Sequence, residues 1–90
     1  MQKAIITVVG RNKRGIIARV STKLADEQID VLDITQTIIQ GYFNMMMIVD
    51  MDCCKKDFAL IADEMDVIGT ELGVQIKCQL ESIFDKMHRL

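Results

Sequence analysis

The chain has no proline and no tryptophan, a single tyrosine, a single histidine and three phenylalanines among 90 residues. The missing prolines go with the absence of any linker, repeat or low-complexity tract that would divide the chain. The shortage of rings argues against an RNA-recognition domain, which stacks bases on aromatics of its first and third strands. Here the strand-like run Lys3 to Val9 has no ring, and Phe43 to Met51 offers only Phe43 among methionines. Charge of one sign is also lacking. A net charge of −2 supplies no electrostatic drive toward a nucleic-acid backbone. No apolar run approaches the roughly 20 residues of a membrane span, so no membrane partner is expected. The Met1-Gln2-Lys3-Ala4 start has no signal-peptide layout. Cys53, Cys54 and Cys78 are odd in number and lack the spacing of a disulfide framework, which fits free thiols in a reducing, cytoplasmic compartment. His88 has no ligand-type neighbours in sequence, and no metal or cofactor site is expected.

What is present is a core. Half the residues are hydrophobic, enough for one domain of a size that often works as a dimer or within an assembly. Lys3 to Val9 is rich in β-branched residues and reads as a buried strand ending at Gly10. Gly10 to Gly15 is a polar loop. From Gly15 to Glu27 the period changes, with Ile17, Val20 and Leu24 at helical spacing and Ile16 widening the stripe. Val31 to Gln40 returns to period two, with Leu32, Ile34 and Ile38 on one face and Asp33, Thr35 and Thr37 on the other. Gly41 then turns the chain into a strand over Phe43 to Met51, an antiparallel hairpin.

Phe58, Ile61, Met65, Ile68 and Leu72 step by three and four and predict a second helix, with Gly69 and Gly73 at its frayed and final ends. Val74 to Leu80 alternates strictly, with Val74, Ile76, Cys78 and Leu80 inward. Ile83, Phe84 and Met87 predict a short helical tail over Glu81 to Leu90. The order β-α-β-β-α-β predicts an α+β, ferredoxin-like βαββαβ sandwich: a four-stranded antiparallel sheet with two helices on one face and a short C-terminal helix.

That fold hosts many functions, and the first strand-to-helix loop discriminates among them. Arg11-Asn12-Lys13-Arg14 contains no paired cysteines for a soft-metal carrier. Ile16-Ile17 stands where a phosphate-binding P-loop needs Lys-Ser or Lys-Thr. Arg11 and Arg14 leave an acylphosphatase-like hydrolase open, although Asp30 and Asp33 occupy the region where that chemistry wants an asparagine.

The run Gly10-Arg11-Asn12-Lys13-Arg14-Gly15-Ile16-Ile17-Ala18-Arg19-Val20, then Leu24 and Ile29-Asp30-Val31-Leu32-Asp33-Ile34-Thr35-Gln36, resembles the signature of ACT domains. The resemblance covers residues 1–90 as a single ACT domain with a C-terminal helical tail. It extends to the small stand-alone bacterial and archaeal ACT proteins and to the domains of glycine-cleavage regulatory repressors. It implies a regulatory, non-enzymatic homodimer that binds an amino acid or a similar polar metabolite between the first loop of one subunit and the second strand of its neighbour.

On that resemblance the ligand-binding residues are Asn12, Gly15, Ile16, Ile17, Asp30 and Asp33. The amides of Gly15, Ile16 and Ile17 would receive a carboxylate at the helix N-terminus, and Asp30 or Asp33 an ammonium group. Each of these residues also has a plain structural use, Asn12 and Gly15 in a turn and the aspartates at a strand start. Family members often carry Asp where Asn12 stands, which bears on ligand charge. A protein-interaction module that docks an enzyme or regulator, without a metabolite, is the alternative reading.

Overall fold

The computed structural model describes residues 2–11 and 14–81. The elements follow the predicted order: β1 (Lys3–Arg11), α1 (Ile16–Asp26), β2 (Asp30–Ile39), β3 (Tyr42–Asp50), α2 (Phe58–Leu72) and β4 (Val74–Leu80). The four strands form one antiparallel sheet in the order β2-β3-β1-β4. The ferredoxin-like architecture is therefore the observed one. The predicted tail helix, with Ile83, Phe84 and Met87, and His88 lie outside the described residues, as do Asn12 and Lys13.

Alternation along the strands builds the core. Ala4, Ile6 and Val8 of β1, Phe43, Met45, Met47 and Val49 of β3, and Val74 and Ile76 of β4 all turn to one face. Ile16, Val20 and Leu24 of α1 and Ile61, Met65 and Ile68 of α2 close over them. The apolar stripe of α1 is thus centred on Ile16 rather than Ile17, which is exposed. The reason is phase: 16, 20 and 24 recur every four residues and lie along one ridge, and Ile17 falls at its margin. Met45, Met47 and Met51 are core filler, as their flexible side chains suit, whereas Met46 points to the uncovered face.

Gln40 and Gly41 join β2 to β3, at φ 51° and 82°. Two successive positive φ values make the tight turn whose twist matches the hairpin. One bulge falls between Val31 and Asp33, leaving Leu32 without a partner on β3. Val31 and Ile34 consequently pair with Val49 and Met47 of the core face, and Asp33 with Ile48 of the other. Simple alternation had grouped Leu32 with Ile34; the extra residue breaks that phase.

Gly69 is not a frayed helix end. It lies within α2, is buried, and a Cβ there would stand 2.8 Å from the carbonyl oxygen of Val74 and 3.2 Å from Ile76 Cγ1. The absent side chain lets α2 sit directly on β4. Gly73 does end the helix, in the left-handed conformation at φ 73°.

Candidate functional site

The first group of predicted ligand-binding residues gathers where β1 hands over to α1. Gly15 takes φ 91°, a conformation costly for any residue with a Cβ, and serves as N-cap without a capping side chain. Its carbonyl accepts the amide of Arg19 at 2.9 Å, which starts the helical ladder. The first-turn amides are left by helix geometry with no acceptor inside the helix and point outward, toward where an anion would sit. Ile16 is buried and anchors this turn to the core; Ile17 is exposed beside it. At the same end of the sheet Arg11 pairs with Tyr42, and its guanidinium lies 5.1 Å from the centre of the Tyr42 ring. Sequence reasoning noticed Arg11 but gave Tyr42 no role. The two come together only because β1 and β3 are neighbours.

The second group sits at the opposite end. Asp30 is level with Asp50 of β3, which is level with Lys3 at the start of β1. Asp33 is exposed, and its Oδ1 accepts the backbone amide of Ile34 at 2.8 Å, so this carboxylate steadies the strand next to the bulge. Asp50 Oδ1 similarly accepts the amide of Asp52 at 2.9 Å. Asp30 and Gly15 thus belong to opposite ends of strands about 25–30 Å long, at ~3.3 Å per residue. One chain does not bring the two groups together. Asn12 lies outside the described residues.

Between the two groups runs β2, and its exposure is the main surface feature. It forms one edge of the sheet, and all ten of its residues are exposed. Val31, Leu32, Ile34, Ile38 and Ile39 are 45–64% accessible. A long apolar edge with unpaired backbone groups is a template for another strand.

On the helix side, two lysines and two glutamates form a closed ring. Lys23 Nζ bonds Glu27 at 2.6 Å and also Glu64; Lys56 Nζ bonds Glu27 at 2.6 Å and Glu64 at 3.0 Å. Hydrogen bonds from Lys23 and then Lys56 pull the Glu27 carboxyl from 4.5 down to about 2, and lower that of Glu64. Burial would depress Lys23, but its bonds to Glu27 and Glu64 outweigh this and raise it. The ring ties α1 to α2 and to the segment before it. It was not foreseen from sequence, because only Lys23 and Glu27 stand at a recognisable helical spacing of four.

Two open clefts flank the ring. One of about 240 Å³ is lined by Asp26, Glu27, Gln28 and Lys55, and one of about 360 Å³ between the helices involves Arg19, Glu64 and Val67. Neither contains a predicted ligand-binding residue. Burial, and then the charge of Asp66, pushes the Cys78 thiol up to about 11, so it is an inert core group. Among the described residues no cluster of His, Cys, Asp or Glu could hold a metal ion, and no helix is long and apolar enough to cross a membrane.

Comparison with known proteins places this geometry in context. The profile described as ACT domain matches residues 2–79. A UPF0237 protein of Bifidobacterium longum is 57% identical over 90 residues, covering 100% of both chains. The solved ACT domain protein from Streptococcus pneumoniae is 44% identical and superimposes with a TM-score of 0.82, covering 92% of this chain and 93% of that one. The regulatory subunit of aspartate kinase from Thermus thermophilus is 27% identical with a TM-score of 0.65, over 88% of this chain but 51% of that one.

Proposed function

The chain belongs to the ACT domain family, and from that premise we propose that it is a cytoplasmic, non-enzymatic regulatory module: a homodimer that binds an amino acid or a similar polar metabolite at its subunit interface. The family is typically regulatory, and the similar aspartate kinase chain is itself a regulatory subunit.

The observation that carries the reading is the fully exposed, apolar β2 edge together with the placement of the predicted site residues at its two ends. Two copies of β2 paired antiparallel about a two-fold axis run in opposite directions. The Asp30 end of one then meets the Ile39 end of the other, the end at which α1 begins. A site split across one chain becomes compact across two. The helix N-terminus at Gly15, Ile16 and Ile17, with Asn12 in the preceding loop, would take the carboxylate. Asp30 and Asp33 of the partner subunit would take the ammonium group. Continuing the sheet from four strands to eight also covers Ile34 and Ile38, whose exposure in a single chain is otherwise costly.

The same edge supports a second reading, in which a strand of an enzyme or regulator occupies β2 and no metabolite is involved. Thermal denaturation against the twenty amino acids separates the two. A ligand at 100 times its dissociation constant stabilises the native state by about 2.7 kcal/mol, readily seen in a domain of this size. The expected result is a selective upward shift that Asn12→Ala and Asp30→Ala each abolish. A flat screen, or a monomer that still binds ligand on dilution, overturns the proposal.

A further inference from the structure

The two helices differ in what they show to the outside. Apart from Ile17 in its first turn, α1 exposes small, hydroxylated or charged side chains: Ala18, Arg19, Ser21, Thr22, Ala25 and Asp26. α2 instead leaves Leu60 46% and Val67 58% exposed. Seven residues apart, these two lie on one side of the helix, two turns and about 10 Å from each other. Val67 also lines the open cleft of about 360 Å³ between the helices, together with Ile68 and the acids Asp26, Glu64 and Glu71. The charge on α2 is of one sign. It carries Asp63, Glu64, Asp66 and Glu71 and no lysine or arginine. None of the four stands in the first turn, where the helix dipole would favour it, and no basic residue stands in the last. Glu64 is held by Lys23 and Lys56, and Glu71 by Arg19. Among the described residues no ion pair reaches Asp63, Asp66 or Asp26. Asp63 comes three residues after Leu60 and four before Val67, so an unpaired carboxylate sits within the apolar pair.

We propose that the outer face of α2, with the adjoining cleft, docks a basic amphipathic helix of a partner protein. Two apolar side chains of that helix pack on Leu60 and Val67, and its lysines or arginines meet Asp63 and, across the cleft, Asp26. Charge selects this occupant. A second copy of the chain would bring the same acidic helix, and a nucleic acid or an anionic lipid surface would be repelled in the same way. A helix suits the surface better than a strand does, because α1 and α2 close their own backbone ladders and offer a strand no unpaired groups between their ends. Anchors at i and i+7 of the docking helix span the same distance, about 10 Å, as Leu60 and Val67. The inference rests on the helix layer and not on the β2 edge, so it stands or falls apart from the metabolite reading.

The probe is a synthetic peptide of about four helical turns, with leucine along one helical face and lysine elsewhere, added to the isotope-labelled full chain. Its counterpart carries glutamate for lysine. The lysine peptide should shift the backbone amide resonances of Leu60, Asp63, Val67 and Asp26, and the glutamate peptide should shift none of them. A Leu60→Ser, Val67→Ser double variant changes only exposed positions and so spares the core; it should weaken binding about tenfold or more. Asp63→Lys, made separately, should act in the same direction, and added salt should weaken binding to the native chain. The proposal is overturned if the lysine peptide does not bind, if its shifts fall on the sheet instead of the helices, or if the double variant binds it as tightly as the native chain.

Discussion

The sheet ends on two edge strands that are built differently. β4 is seven residues long, its Val74 and Ile76 are buried under α2, and Lys77 with Gln75 and Gln79 occupies its other face. A short strand, covered on one side and carrying an exposed lysine, is a poor template for further pairing. β2 is ten residues long, uncovered along its whole length, and rich in exposed Ile, Leu and Val. Neither helix core stripe reaches it, because α1 and α2 stand over β1, β3 and β4. The contrast separates an edge packed into the domain's own core from an edge left exposed, and it is on the exposed edge, β2, that the proposed dimer rests.

Substitutions can break that contrast. Ile76→Ala on β4 removes a buried side chain that packs against α2 and should cost about 2–5 kcal/mol of unfolding free energy. Chemical denaturation would read it as a fall in midpoint with unchanged assembly. The matching change on the other edge, Ile34→Ala, should alter single-chain stability far less and should instead raise the dimer dissociation constant in sedimentation equilibrium. Equal stability losses at the two edges would dissolve the distinction.

Gly69→Ala sharpens the β4 side. The added methyl meets the Val74 carbonyl oxygen at 2.8 Å, a backbone atom with little room to move, so a loss of about 1–3 kcal/mol is expected despite the gain in helix propensity. A neutral or stabilising result would mean that α2 is not held on β4 by this close approach.

The smallest effect concerns pH. The Glu27 carboxyl is lowered from 4.5 to about 2 and Glu64 is lowered also, so their contribution is complete above pH 4.5 and is lost as pH falls from there toward 2. Lys23 and Lys56 are raised from 10.5, so their contribution holds below that value and is lost only at more alkaline pH. Denaturation midpoints measured from pH 6 down to 2 should decline for the native chain. The decline should be shallower for a Glu27→Gln, Glu64→Gln double variant, whose starting stability is lower. Because the ring binds α1 to α2, the acid loss should leave the proposed pairing through β2 unaffected until the domain itself unfolds.

Much of the fold was legible in local spacing. The stepping of Phe58, Ile61, Met65, Ile68 and Leu72 marks α2 with the bounds observed, and the alternation of Val74 to Leu80 marks β4 residue for residue. Both signals are strong because every core position along those elements faces one partner layer. The signal was weaker where a single residue sets the phase. Ile16 and Ile17 are adjacent and equally apolar, and only the position of α1 over the sheet separates them. At Leu32 the bulge moves the register, and alternation has no means of marking an inserted residue. Gly69 looked like a helix breaker because propensity is a local quantity, whereas its use is a contact with a strand that follows it.

The candidate site divides in the same way. The glycine-to-helix turn at Gly15 is a property of a few consecutive residues and could be read from them, as could the element order, the faces of β4 and α2, and the resemblance to ACT domains. That β2 is an edge while the methionine-rich β3 is interior, and so offers no edge for assembly, follows from the folded sheet alone. Folding also set Gly15 and Asp30 at opposite ends of the sheet, laid Arg11 over Tyr42, and closed the ring from Lys23 to Glu64 across the two helices. The physical reason is range. Periodicity and turn chemistry act over a few residues, whereas strand order and the meeting of distant side chains follow from how the apolar faces of separate elements are buried together.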